Sequence, residues 1–325
     1  MGWKAIAARR AGLVAAFAMA MAVPAAAQSW PTQTIRLIVP FPPGGSNDVM
    51  GRLIAPHLEK ALGQTVVVDN RPAAAGQVGT EAVARATPDG HTLLLVASSH
   101  TVRPAVAKLP YDTLKDFAPV SLVNTNAMFF FVHPGVPAKD LKEFVALAKK
   151  NPDKFNYASP GAGSQTHLTV ELLSLRTGIK LQHVPYRGGA PATQAMLAGE
   201  TQFTMLAPNV LFPLIADGKI RPIANGAPKR HPRAPDVSTT AEQGFPNIRA
   251  IQWVGVLTTA GTPKPVVDRL NKEINRIIHL PEVVKVLDKQ GVTPTGGTPE
   301  EFQELIAREV GEWTEVAKAA NIKLN

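Results

Sequence analysis

The residues of this chain that can do chemistry are mostly small ones. Four loops, each between an apolar run and a helical pattern, gather glycine, proline and short hydroxyl side chains. The first reads Phe41-Pro42-Pro43-Gly44-Gly45-Ser46-Asn47-Asp48. Its glycines let the backbone come close to a guest. Ser46 or Asn47 can act as helix N-cap and leave nearby N–H groups open, and Phe41 can form an apolar wall. The second runs from Asp69 to Thr80 through Ala75 and Gly76 and contains Arg71. Beside Asp69, that arginine reads as an ion pair or loop clamp rather than an anion ligand. The third is Ser98-Ser99-His100-Thr101. The fourth, Ala158 to His167, holds Ser159, Gly161, Gly163 and Ser164 and has the composition of an anion cradle. A fifth element, Pro185 to Pro191, offers Tyr186, able to stack and to hydrogen-bond. A helix start carries unpaired N–H groups and a partial positive charge, so such loops can hold a carboxylate without lysine or arginine.

Catalytic patterns are missing. Ser164 and His167 are three apart and share a helix face, but a serine nucleophile needs a base oriented by a third group, and no G-x-S-x-G elbow is present. There is no P-loop, and Gly161-Ala162-Gly163 does not continue to G-x-G-x-x-G. The histidines are scattered, none four residues from another, so zinc-hydrolase spacing is absent. With no cysteine, disulfides, thiolate zinc sites, iron–sulfur clusters and a cysteine nucleophile are excluded. Glu300-Glu301 opens a helix, where capping explains it. The expectation is no catalytic residue, no metal and no cofactor, with His167 a packing or loop-bracing side chain.

The loops need a scaffold, and the chain supplies an alternation of short β-rich runs and amphipathic helices, the signature of an α/β fold with mainly parallel sheets. Strands are expected at 35–39, 65–68, 92–97, 128–132, 155–158, 182–185, 203–206 and 253–257. Helices are expected near 47–62, 78–86, 141–150, 164–177 (ended by Gly178), 190–197, 265–278, 281–290 and 299–320. The break at His133–Pro137 and a return near Ile248–Trp253 divide this into two halves. A first lobe would span 29–132 plus 253–325, with an inserted second lobe at 133–252.

Composition agrees with a globular protein of about two domains: 325 residues, 45% hydrophobic and 18% charged. Lys4, Arg9 and Arg10 begin the chain, Ala11–Val23 is small and apolar, and Ala25-Ala26-Ala27 fits the A-x-A cleavage rule, so residues 1–27 read as an export signal cut after Ala27. Removing those three cations takes the formal charge from +9 to +6, a mild excess that suits a small anion. The densest basic group, Lys229, Arg230, His231 and Arg233, lies in a proline-rich stretch and reads as a solvated loop, so nucleic acid is not an expected partner.

The motifs, taken in order, resemble the substrate-binding proteins of tripartite tricarboxylate transporters, the Bug or TctC-like family. Ile35 to Asp48 is similar to its opening, and Val67-Val68-Asp69-Asn70-Arg71-Pro72 with Gly76, Gly79 and Thr80 to its second loop. Pro88-Asp89-Gly90-His91-Thr92-Leu93-Leu94, Ser159 to Ser164 with His167, Val184-Pro185-Tyr186-Arg187-Gly188, Thr240 to Pro246 and Gly261-Thr262-Pro263 follow. Departures are Ala73 in place of a usual glycine, Gln202 in place of an acid, and the run Thr204-Met205-Leu206-Ala207. The resemblance implies a two-lobed periplasmic binding protein of the Venus-flytrap kind, type II-like. It implies a protein that closes on a small organic anion, a di- or tricarboxylate or an aromatic carboxylate, and delivers it to integral-membrane transporter subunits; a monomer is expected. The shell expected to touch that anion is Phe41, Gly44, Ser46, Asn47, Ala75, Thr80, Ser98, Ser159, Gly163, Ser164 and Tyr186, with Phe41 and Tyr186 placed to flank a flat ring. The alternatives are an orphan binding protein feeding a sensor, and a secreted hydrolase using Ser164 and His167.

Overall fold

The computed structural model describes residues 30–208 and 211–323; the expected export signal lies outside the described residues. The elements run β1 (Ile35–Val39), α1 (Ser46–Leu62), β2 (Val66–Asn70), a short 3-10 turn (Ala73–Gly76), α2 (Gln77–Ala84), β3 (Thr92–Ala97), α3 (Ser99–Val106), β4 (Phe117–Ala127) and β5 (Phe129–Val132). They continue with α4 (Leu141–Lys150), β6 (Asn156–Ser159), α5 (Gln165–Thr177), β7 (Gln182–Pro185), α6 (Gly189–Leu197), β8 (Phe203–Leu206), α7 (Phe212–Ala216) and β9 (Arg221–Asn225). The chain closes with β10 (Ile251–Thr259), α8 (Lys264–Ile277), α9 (Pro281–Gln290), β11 (Thr293–Pro294) and α10 (Pro299–Ala319).

Two sheets result. The first has the order β11-β4-β10-β3-β1-β2, the second β7-β6-β8-β5-β9. Apart from the short β11, both follow one scheme: three strands joined by helices, a strand inserted from the other half of the chain, and a fourth strand beside it. The inserted strands β10 and β5 run antiparallel to both neighbours, whereas β1, β2 and β3, and β6, β7 and β8, are parallel. The sheets are therefore mixed rather than mainly parallel, because each receives one strand from a chain travelling the opposite way.

Burial on both faces explains why the central strands read as continuous apolar runs. In β3, Leu93 and Leu95 pack with Met50, Ile54, Leu58 and Leu62, spaced four apart on α1, while Leu94 and Val96 face Trp253, Phe302 and Ile306 on the other side. The same alternation splits the three phenylalanines of β5. Phe130 joins Phe144 and Phe203, themselves stacked 4.3 Å apart, and Phe129 and Phe131 join Met196, Leu211 and Ile220. Each such ring contributes roughly 1.5–3 kcal/mol by leaving water. Gly178 ends α5 as expected, in the left-handed conformation with φ 75°.

Three sequence expectations change. The strand at Phe129–Val132 belongs to the second sheet, not the first, so the chain crosses over at Met128 and not at His133–Pro137. The return, expected near Ile248–Trp253, falls before Ile251, where β10 enters the first sheet. α10 is shared: Phe302 and Ile306 pack on the first sheet, whereas Trp313, Val316 and Ala317 join the core of the second, together with Val102 and Val106 of α3. β4 and β9 carry no uniform apolar run, since Asn124, Thr125 and Asn126 end one and Pro222 interrupts the other, and neither was expected from sequence.

Three backbone hydrogen bonds tie the crossover points together. Met128 N–H donates to Ala250 C=O (2.9 Å), Ala250 N–H to Gly226 C=O (3.0 Å) and Gly226 N–H to Met128 C=O (2.9 Å). A glycine is required here for space: a Cβ on Gly226 would stand 2.7 Å from the Ala250 carbonyl oxygen and 2.8 Å from its Cα.

Candidate functional site: a cleft where helix starts converge

A cleft of roughly 710 Å³ opens at the carboxyl ends of β1 and β3, against the loop before α5. Ligands of open α/β folds sit at this end of the strands. The first wall is Phe41, Gly45, Ser46 and Asn47 at the start of α1. The second is Ser98 and Ser99 at the start of α3. The third, from the other sheet, is Pro160, Ser164, Gln165 and Thr166 at the start of α5. No side chain caps α1 or α3; the N-cap of α1 is Gly45, which has none to offer. The unpaired first-turn N–H groups are the donors such an arrangement presents to an anion.

The first loop is held in shape from behind. Asp48, nearly buried, accepts from Gly44 N–H (2.8 Å), from Arg52 Nε (3.0 Å) and from Asn70 Nδ2 (2.9 Å), and the same Asn70 nitrogen reaches the Phe41 carbonyl (3.2 Å). Burial alone would raise the Asp48 pKa, but the Gly44 amide, Arg52 and Asn70 together hold it below the usual carboxylate range. Arg71 is spent similarly: its guanidinium lies 3.0 Å from Asp69, which also pairs with Arg36. It is the clamp the sequence suggested.

Of the expected shell, Phe41, Ser46, Asn47, Ser98 and Ser164 line this cleft. Gly44 lies beside it, with its amide committed to Asp48. Ala75 sits in the 3-10 turn after β2. The Thr80 hydroxyl, buried, donates to the Gly76 carbonyl at 2.9 Å. The Ser159 hydroxyl meets His183 Nε2 at 2.7 Å and Gly161 C=O at 3.0 Å. Gly163 N–H donates to His167 Nδ1 at 3.0 Å. The Tyr186 hydroxyl reaches Glu200 at 3.4 Å on the exposed side. Thr80, Ser159, Gly163 and Tyr186 are not among the described residues that line the cleft.

His167 is a brace, as expected. Its ring accepts from Gly163 and stacks on His183 with centroids 3.8 Å apart. Burial, joined for His167 by the neighbouring His183 ring, holds both imidazoles down at about 4, so both are neutral near pH 7. The Ser164 hydroxyl accepts from the His167 backbone N–H (3.3 Å) as an N-cap and not from its ring, so the nucleophile–base contact of a hydrolase is absent.

Several cleft residues were not found by sequence reasoning. Gln165 bridges the two sheets: it accepts from Ser98 Oγ at 2.9 Å and donates to the Ile251 carbonyl at 2.7 Å. Trp253 on β10 lines the floor, with Nε1 donating to Glu309 at 3.0 Å; Thr101 Oγ1 donates to the same carboxylate oxygen at 2.7 Å. Burial raises Glu309 to about 7. Asn124, Asn126, Gln252 and Lys289 also line the cleft. The alternation of Asn124 and Asn126 in an otherwise apolar segment was the one available sequence signal. Gln202, a departure from the family pattern, accepts from Asn156 N–H (3.1 Å) and donates to the Gly199 carbonyl (2.9 Å), so it braces a turn.

Two mixed α/β sheets sharing crossovers and facing one cleft define a two-lobed periplasmic binding protein. Residues 50–322 match the model of the tripartite tricarboxylate transporter family receptors (TctC), and the chain belongs to that family. It is similar to the periplasmic binding protein BugD (32% identity, 90% of this chain and 99% of that one, TM-score 0.69). It is also similar to a Rhodopseudomonas palustris protein solved with adipate (31%, 90% and 99%, TM-score 0.72). A third similar structure is MatC from Rhodopseudomonas palustris with bound malate (30%, 88% and 99%, TM-score 0.69). The chain is thus a transporter-family receptor and not an enzyme. Among the described residues no helix is long and apolar enough to cross a membrane.

Proposed function

We propose that this protein captures a small linear dicarboxylate in the periplasm and hands it, unchanged, to the membrane subunits of a tripartite tricarboxylate-type transporter. The observation that carries this reading is the convergence of three helix starts on one cleft, two of them without a side-chain cap. A carboxylate held by several N–H and O–H donors gains charge-assisted hydrogen bonds, and closure strengthens them by excluding water. Phe41, Ser46, Asn47 and Ser164 are the contacts proposed, with Ser98 held against Gln165 beside them. Adipate and malate in the two similar proteins favour a linear diacid. The two sheets are the cores of two lobes that close about Met128, Gly226 and Ala250. The export signal is removed after Ala27, and the mature chain acts as a monomer.

A thermal-shift screen tests this with linear dicarboxylates, tricarboxylates and aromatic carboxylates. A ligand at about a hundred times its Kd adds roughly 2.7 kcal/mol of stability, a rise of several degrees. A linear diacid is expected to give the largest rise. A larger rise with an aromatic acid removes the linear diacid, and no rise with any acid removes the transport reading.

A further inference from the structure

One side of the cleft is built without helix starts. Asn124 and Asn126 come from β4, Gln252 from β10 and Lys289 from the last turn of α9. Register explains their company: Asn126 pairs with Gln252 and Asn124 with Val254, and residues two apart on a strand share a face. Asn124 is 3% exposed, and its carboxamide nitrogen is buried with no hydrogen-bond partner; the carboxamide oxygen of Asn126 is likewise buried and unpaired. Native structures rarely leave such groups unmatched. One is a donor and the other an acceptor; both belong to residues lining the cleft, and both atoms are covered in this arrangement. Among the described residues lining the cleft, Lys289 is the one charged side chain. Its helix end is already closed by the Gly291 amide on the Asp288 carbonyl, and no salt bridge occupies its ammonium among the described residues.

We infer that Asn124, Asn126 and Lys289 form a second anion subsite, which takes the far acid group of a diacid whose near group sits on the helix starts. When the guest enters, the two carboxamides turn toward it: Asn124 Nδ2 donates to an oxygen of that group, Lys289 supplies the counter-charge, and Asn126 Oδ1 accepts from a hydroxyl or water beside it. The helix starts alone select for one carboxylate; this edge selects for two. The inference rests on the carboxylate reading of the cleft.

Calorimetry of the full mature chain with diacids and the matching monoacids tests it: adipate with hexanoate, malate with 3-hydroxypropanoate, phthalate with benzoate. For the diacid that binds, Lys289→Gln is expected to weaken affinity about tenfold and to leave the monoacid within about twofold, an effect that fades with salt. Asn124→Ala is expected to weaken the diacid in the same selective way. Because Lys289 is exposed, K289Q should melt within about 2 °C of the parent. Equal loss for both acids, loss for neither, or a parent that binds monoacids as tightly as diacids overturns the second subsite while leaving carboxylate capture standing. A parent that binds no acid at all overturns both.

Discussion

Ser98 and Gln165 meet across the cleft. The hydroxyl at the end of β3 in the first sheet donates to the carboxamide oxygen at the start of α5 in the second, at 2.9 Å, while the carboxamide nitrogen reaches the Ile251 carbonyl at 2.7 Å. One side chain thus reads the end of a strand, the return crossover and the opposing helix start together. Gln165→Leu leaves the buried Ser98 hydroxyl and the partly buried Ile251 carbonyl without this partner, the buried one costing about 1–3 kcal/mol. The expected result is a melting temperature lower by several degrees and a weaker grip on the diacid. Calorimetric unfolding and titration check it, and a variant with unchanged melting and affinity would remove the latch.

Asp48 keeps the first loop in shape through Gly44, Arg52 and Asn70. Asp48→Ala is expected to cost about 2–3 kcal/mol and to weaken ligand binding, although Asp48 is not among the described residues lining the cleft. The pH dependence has a definite sign. A carboxyl held below its unfolded value, about 3.9, contributes its stability above that value and loses it as pH falls through the lower folded pKa. Urea melts of the parent and Asp48→Asn should therefore converge below about pH 4. A constant gap down to the acid limit would contradict this.

At the crossover triangle, Gly226→Ala forces a methyl group against the Ala250 backbone. The Gly226, Met128 and Ala250 hydrogen bonds must stretch to admit it. Overpacking of this kind costs about 1–3 kcal/mol, and because the triangle joins the sheets, affinity should change along with stability. Small-angle scattering with and without diacid reads the lobe arrangement. A variant that melts and closes like the parent would show that this point is not the pivot.

Glu309 holds Trp253 in the floor of the cleft, and burial lifts its pKa to about 7. Between the ordinary glutamate value of about 4.3 and 7, the native state keeps a proton that the unfolded chain has released. Native stability therefore falls as pH rises through that window. Glu309→Gln removes the titration. The parent's melting temperature relative to the variant should drop by several degrees between about pH 5 and pH 8. A difference that stays flat across this range would place the carboxyl at its ordinary value.

Much was legible in the sequence because it depends on local patterns. Apolar strands buried on both faces, four-residue spacing along α1, and Gly178 after α5 belong to segments whose neighbours in space are also neighbours in sequence. The glycine-rich helix starts were readable for the same reason, and with them Phe41, Ser46, Asn47, Ser98 and Ser164. The order of motifs along the chain pointed to the family that the match over residues 50–322 then showed.

What only the tertiary structure decided was which loops look at one another. β5 carries three phenylalanines in either sheet, and only its pairing with β8 and β9 assigns it to the second. Tyr186 and Thr80 have the chemistry of ligand contacts, but the fold aims one at Glu200 and the other at Gly76. Asn124, Gln252 and Lys289 lie 128 and 37 residues apart in the chain, in order, and reach one cleft because β10 lies between β3 and β4 in the first sheet and α9 leads into β11 at its edge. Residue type and spacing set what each segment can form and what each side chain can donate. Long-range strand pairing sets which of those donors share a space, and that information sits in contacts between segments rather than in any one of them.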